Sequence, residues 1–295
     1  MLCWQIGRVK ITRVVESVAA LPFDPDAPFM PDARPEALRA IAWLYPDFVT
    51  EDGALLLSVH ALLVEAPGLR LVVDTCLGEG RDQMPDRDAP AFPEFIRQLE
   101  QAGWPRHSVD AVLCTHLHFD HVGWNSFPTE HGWQPTFPNA RYLFGRTEFE
   151  HWAGLADAGV DAVLNASIRP ILEAGLAELV ETDHRISPEI RLIPTLGHTP
   201  GHVSVLIESE GETAVITGDM AHHPCQLARP HWSTAYDSDM AAAVSTRLQM
   251  FSEWSDRPIL VIGTHFAGRT AGYLKGDKDT FRLDCDGGID SAPVR

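Results

Sequence analysis

No apolar run in this chain approaches the ~20 residues that a membrane-crossing helix requires. The opening residues, Met1-Leu2-Cys3-Trp4-Gln5-Ile6-Gly7-Arg8, lack the basic region, apolar run and small-residue cleavage site of a secretory signal, so no signal peptide is expected. Cysteine is scarce: Cys3, Cys76, Cys114, Cys225 and Cys285 are dispersed and never spaced C-x-x-C. An odd, scattered set argues against a disulfide framework and against a thiolate zinc site, and it suits a reducing cytoplasm. Basic residues are outnumbered, 23 Lys and Arg against 41 Asp and Glu, for a net charge of −18. A surface of that sign repels phosphate backbones and anionic lipid, so nucleic acid and membranes are poor partners. Repeats, low-complexity runs and flexible linkers are missing as well. The 295 residues, 45% hydrophobic and 22% charged, therefore read as one domain, 1–295, with a large core. The reading admits a homodimer.

Strand and helix patterns alternate along the chain. Lys10 to Ala20 is rich in β-branched residues and reads as a strand. Residues 21–52 then change character: Pro22, Pro25, Pro28, Pro31, Pro35 and Pro46 alternate with Phe23, Phe29, Trp43, Tyr45 and Phe48, and Ala37 to Leu44 suggests a short helix. Such a long excursion is either an apolar flap or an aromatic wall over a pocket. Ala54–Glu65 and Leu69–Asp74 form a hairpin across Ala66-Pro67-Gly68. Arg81 to Pro90 reads as loop, Phe92 to Ala102 as helix, and Val109 to Cys114 as a short buried strand. Trp124 to Pro138 reads as loop, Ala140 to Phe144 as strand, Arg146 to Gly154 as helix, and Val160 to Val180 as a helix interrupted at Pro170. Ile190–Pro194, the hairpin of Val203–Glu208 with Thr213–Thr217, and Pro258–Ile262 complete the strands; Asp237 to Trp254 is an amphipathic helix.

Polar clusters recur where strands end. After Val109–Cys114 comes Thr115-His116-Leu117-His118-Phe119-Asp120-His121, an H-x-H-x-D-H pattern. Crowding four such side chains at a strand end is costly without a partner, and a divalent metal ion is that partner. Three later strand ends carry His202, Asp219 and His265. Imidazole and carboxylate without thiolate suit zinc, with iron, manganese or cobalt as alternatives. The set His116, His118, Asp120, His121, His202, Asp219 and His265 exceeds the need of one tetrahedral zinc and suffices for two metals sharing a carboxylate. Cys114 and Cys225 read as buried fillers, His223 and His231 as exposed loop residues, and His60, His107, His131, His151 and His184 as background.

These motifs, with Gly197-His198-Thr199-Pro200-Gly201-His202, Gly218-Asp219 and Gly263-Thr264-His265 in that order, resemble the metallo-β-lactamase fold superfamily from about Ala54 to His265. The resemblance implies an α/β fold, a four-layer αββα sandwich of two mixed sheets. By position it implies His116, His118 and His202 on one metal, Asp120, His121 and His265 on a second, and Asp219 bridging. Asp74 would orient a ligand imidazole, and His198 would be a loop or supporting hydrogen bonder.

Within the superfamily, the chain looks most like the lactonase and methyl parathion hydrolase branch. The resemblance implies a hydrolase in which a bridging hydroxide opens lactones or cleaves related esters, with phosphotriester hydrolysis as the alternative and a single-iron persulfide dioxygenase-like activity as a second. Asp120 and Asp219 would take part in proton transfer. His222 stands where the acyl-homoserine lactonases have a tyrosine, and would orient the substrate. The aromatic segments favour a small, uncharged, partly apolar substrate.

Overall fold

The computed structural model describes residues 1–78 and 94–286; the loop expected at Arg81 to Pro90 and the start of the helix expected from Phe92 lie outside them. In chain order the strands are β1 (Cys3–Ile6), β2 (Val9–Leu21), β3 (Leu55–Ala66), β4 (Leu69–Val73), β5 (Ala111–Leu113), β6 (Ser126–Thr129), β7 (Gly132–Pro135), β8 (Arg141–Gly145), β9 (Ala177–Val180), β10 (Ile190–Pro194), β11 (Val203–Ser209), β12 (Glu212–Ile216), β13 (Ile259–Ile262), β14 (Ala271–Asp277) and β15 (Thr280–Asp284). One sheet runs β1-β2-β3-β4-β5-β8-β9, and a second runs β10 to β15 in sequence order. Both are mixed: β4, β5, β8 and β9 pair in parallel, as do β12 and β13, among otherwise antiparallel neighbours.

The two-residue period of a strand sends alternate side chains to opposite faces, and here both faces are apolar. Leu62 and Val64 of β3 join Leu260 and Ile262 of β13 in a core between the sheets. Their neighbours Ala61 and Leu63 face outward onto Phe95, Ile96 and Leu99 of the Glu94–Gln101 helix. On the second sheet, Ile259 and Val261 face Phe251 and Trp254 of the Met240–Trp254 helix. Helices thus cover both outer faces, which is the expected αββα sandwich.

Local departures have local causes. The Val160–Val180 helix ends at Glu173, because Gly175 takes a left-handed φ of +69° and turns the chain into edge strand β9. Ahead of Pro170, which has no N–H to donate, residues Leu164–Ile168 widen into a π-turn. The Trp124–Pro138 loop contains the hairpin β6–β7. Ala37–Leu44 is split into an α-turn, Pro35–Arg39, and a 3-10 turn, Ala42–Leu44. The excursion 21–52 packs mostly as a flap, with Met30, Leu38, Leu44 and Phe48 buried against the helix side of the second sheet.

Candidate metal centre

Strands β4, β5, β12 and β13 end on one edge of the sandwich, and their following residues carry Asp74, His116 to His121, Asp219 and His265. The β10–β11 loop adds His198. Asp74 itself sits at φ +58°, a sharp turn out of β4 that short polar side chains tolerate. Its carboxylate accepts the Thr115 N–H (2.8 Å), the Thr115 hydroxyl (2.9 Å) and His121 Nδ1 (2.9 Å).

Two groups of donor atoms converge. In the first, His118 Nδ1 lies 2.9 Å from both His116 Nε2 and His198 Nε2, which are 3.2 Å apart. In the second, His265 Nε2 lies 3.2 Å from His121 Nε2 and 3.5 Å from Asp120 Oδ2. Asp219 stands between them, with Oδ2 3.5 Å from His198 Nε2 and 3.3 Å from His121 Nε2, and Oδ1 3.2 Å from His265 Nε2 without hydrogen-bond alignment. His222 Nε2 also reaches Asp219 Oδ2, at 3.2 Å.

Of the sequence-predicted ligands, the structure brings together His116, His118, Asp120, His121, Asp219 and His265, and it leaves out His202. Both His202 nitrogens are spent elsewhere: Nδ1 donates to the Thr195 carbonyl (3.0 Å), and Nε2 accepts the backbone N–H of Asp219 (2.8 Å). His198, expected only to support, occupies the place in the cluster instead. His223 is a second correction. It is buried, donating from Nε2 to the Phe48 carbonyl at 2.8 Å and accepting the Cys225 N–H, and so pins the excursion to the loop after Asp219. His231 is exposed, and Cys114 and Cys225 are buried, as expected.

Most cluster imidazoles have the nitrogen away from the cluster anchored. His116 Nδ1 meets the Thr115 hydroxyl, His121 Nδ1 meets Asp74, His198 Nδ1 meets Asp237 at 3.0 Å, and His265 Nδ1 meets the Ser58 carbonyl. Anchoring one nitrogen leaves the other as a lone pair directed at the cluster. Sequence reasoning missed Asp237 and also Glu148. The buried Glu148 carboxylate accepts Leu117 N–H (3.2 Å), Gly201 N–H (2.9 Å) and Trp152 Nε1–H (2.6 Å), clamping the two ligand loops together. Its only sequence trace is a glutamate in the first turn of a helix, which is common without such a role.

The charge balance asks for a cation. Burial pushes His118 down to about 3 and His116 well below its ordinary value, so both offer neutral nitrogens. Burial alone would depress His121 and His265 too, but Asp219, helped by Asp74 and Asp120 at His121 and by Asp120 at His265, raises both. Burial would raise Asp219, yet His121, His265 and His222 hold it well below the usual carboxylate range. The carboxylates thus favour positive charge at this spot, and a metal ion bound by the neutral imidazoles would supply it directly. The spacing agrees, since tetrahedral donors ~2.0–2.1 Å from zinc stand ~3.4 Å apart. The residues therefore fit a metal pair: His116, His118 and His198 on one side, Asp120, His121 and His265 on the other, and Asp219 between.

The cluster opens into a cavity of about 800 Å³ walled by Leu21, Phe29, Val59, Trp152, Val163 and Tyr236. No Lys or Arg is among the described residues that line it. Leu21 and Phe29 come from the excursion, so it supplies both the flap and part of an aromatic wall. Phe29 packs edge-on to His222 with ring centres 5.7 Å apart.

A two-sheet sandwich with this histidine and aspartate cluster on one edge defines a member of the metallo-beta-lactamase superfamily, whose family model matches residues 54–256, and the chain belongs to it. It is similar to an N-acyl homoserine lactonase of Bacillus sp., 28% identical over 170 residues, a match that covers 57% of this chain and 61% of that one. It is also similar to an N-acyl homoserine lactonase of Bacillus cereus, 25% identical over 228 residues, covering 73% and 84%. Among solved structures it resembles the hydrolase AbOPH of the beta lactamase superfamily (TM-score 0.78, 24% identity, 96% of each chain). It likewise resembles AidC, a dizinc quorum-quenching lactonase (TM-score 0.76, 19% identity, 95% of each chain). At these identities the two structures speak for the fold.

Proposed function

We propose that this chain is a metal-dependent hydrolase that opens lactones or cleaves related uncharged esters, with two divalent ions, zinc foremost, as its cofactors. The observation that carries the reading is the place of Asp219, a buried carboxylate between two groups of imidazoles, at the floor of an apolar cavity that has no Lys or Arg among its described lining residues. The Bacillus lactonases support it, as relatives 28% and 25% identical over 170 and 228 residues. When bound, the metal pair supplies an activated water as nucleophile and a Lewis acid for the carbonyl oxygen.

The chain's own groups do the rest. Asp120 is the more exposed carboxylate of the cluster, its side chain 19% accessible against 4% for Asp219, so it would take the proton given up by the attacking water and pass it to the departing alkoxide. His222 lines the cavity beside Asp219, its ring edge-on to Phe29, and would orient a substrate oxygen or amide there. Phe29, Val163 and Trp152 exclude water and hold an apolar substituent. With no Lys or Arg among the described residues of its lining, the cavity favours uncharged substrates over anionic ones. An uncharged phosphotriester suits the same lining, which keeps phosphotriester hydrolysis as a second reading. The free cysteines agree with a cytoplasmic enzyme.

The test is a substrate panel on the zinc-loaded enzyme: an acyl homoserine lactone, an aryl ester, a phosphotriester and a β-lactam carboxylate. The reading expects the highest kcat/KM on the lactone and none measurable on the β-lactam. Preference for the phosphotriester would favour the second reading, and oxygen consumption with a single bound iron would overturn both.

A further inference from the structure

We infer that Asp237 and Arg247, a buried ion pair outside the cluster, are positioning residues that set His198 and Asp219 for the metal pair. The inference rests on the metal-site reading above. Asp237 Oδ1 accepts His198 Nδ1–H at 3.0 Å, which forces the tautomer whose Nε2 lone pair faces His116 and His118. The geometry repeats at the other group. Asp74 binds His121 Nδ1 and both the N–H and the hydroxyl of Thr115; Asp237 binds His198 Nδ1 and both the N–H and the hydroxyl of Thr234. Each group of ligands thus has one carboxylate–histidine pair.

The halves differ in how that carboxylate is held. Asp74 is fixed by the end of β4. Asp237 lies on a loop, and its fixed point is the guanidinium of Arg247 on the Met240–Trp254 helix, fully buried and 3.5 Å away. Arg247 also donates to the Pro230 carbonyl (3.0 Å), the Ser233 hydroxyl (2.9 Å) and the Met220 carbonyl (3.4 Å). Met220 directly follows Asp219. One cation therefore gathers the loop behind His198 and the turn that carries Asp219, and it neutralises a carboxylate that would otherwise be buried unpaired.

The experiment measures zinc affinity of the metal-stripped protein by competition with a chromophoric chelator, beside thermal unfolding of the same samples. Wild type should bind two ions; if it binds none, the metal-site reading itself fails. In Asp237→Asn one of the two ions should bind ~10–100-fold more weakly while the other is retained, and cobalt loaded at the weakened site should show an altered visible spectrum. A folded Asp237→Asn protein with two wild-type affinities overturns the inference. Removing one partner leaves a buried charge alone and can prevent folding, so Asp237→Asn/Arg247→Met, which removes both charges, is the second variant. It should fold and show the same selective loss; wild-type affinities there also overturn the inference.

Discussion

His202 Nε2 accepts the backbone N–H of Asp219 at 2.8 Å, so this histidine holds a candidate ligand in place instead of being one. Its neighbour in the same loop, His198, faces the cluster. The two substitutions should separate. His198→Ala should remove a metal and reduce kcat/KM by more than the ~10–100-fold typical of losing an outer partner. His202→Ala should keep two metals and lose ~1–3 kcal/mol of stability from the unsatisfied Asp219 N–H. Elemental analysis with thermal unfolding reads both; a His202→Ala protein short of one metal would restore His202 as a ligand.

The same contact explains a glycine. Gly218 sits at φ +55°, and a Cβ there would come within 2.6 Å of His202 Nε2. Gly218→Ala should therefore strain the backbone and push His202 off Asp219, costing ~1–3 kcal/mol and weakening metal retention together. Unchanged melting and metal content would show that the turn has more room than its geometry implies.

Much of this was legible before the structure, and the misses have physical reasons. β-branched residues and the Ala66-Pro67-Gly68 turn marked β2, β3 and β4, whose apolar positions from Val9 to Val14, Ala61 to Val64 and Leu71 to Val73 are buried in the sandwich. Ala177–Val180 read as helix because an edge strand with intermediate burial carries no strong period, and only the turn at Gly175 separates it from the helix before. Six of the seven expected ligands share the cluster, and His198 stands there in place of His202. His198 and His202 share a loop and a glycine–histidine context, and which one faces the cluster depends on how that loop meets Asp219 and Asp237, which lie far along the chain. Asp237 and Glu148 left no pattern that tied them to the site, since the ligand-loop groups they hold, the backbone amides of Leu117 and Gly201 and the imidazole of His198, lie 31 to 53 residues away.

Phe29 should act on apolar substrates alone. Its ring lies 5.7 Å from that of His222 and 5.9 Å from that of Tyr236, at the cavity wall. Phe29→Ala should raise KM about tenfold for long-chain acyl lactones, the equivalent of ~1.4 kcal/mol of lost apolar contact. The kcat should stay nearly unchanged, and short-chain lactones should be barely affected. Equal effects on short and long chains would remove Phe29 from the acyl wall.

Acid should destabilise the protein in part through His223. Burial pushes its imidazole down to about 4, whereas an unfolded histidine titrates near ~6.5. Below ~6.5 the unfolded chain binds a proton that the folded chain refuses, so this contribution to stability is complete above ~6.5 and shrinks as pH falls toward 4. His223→Gln keeps an amide donor for the Phe48 carbonyl without the titration. The slope of unfolding free energy against pH between 6.5 and 4 should be shallower in that variant by up to ~1.4 kcal/mol per pH unit, one proton's worth. Identical slopes would mean that His223 is protonated in the folded protein.

Glu148 should matter for order at the site more than for charge. Glu148→Gln retains the shape but can accept at only one atom, so one of its three N–H donors, from Leu117, Gly201 and Trp152, is left poorly satisfied. We expect a loss of ~1–3 kcal/mol in unfolding free energy and a lower kcat, read by chemical denaturation and initial rates. A variant as stable and active as wild type would reduce Glu148 to a bystander.

The central claim is a hydrolase whose site needs two metal ions joined by Asp219. Its most direct test is to strip the protein of metal, add zinc back in fractional equivalents, and follow the initial rate of acyl lactone hydrolysis. The account predicts no rate without metal and a rise that reaches its plateau at two equivalents. A plateau at one equivalent, or full activity in the stripped protein, would contradict it.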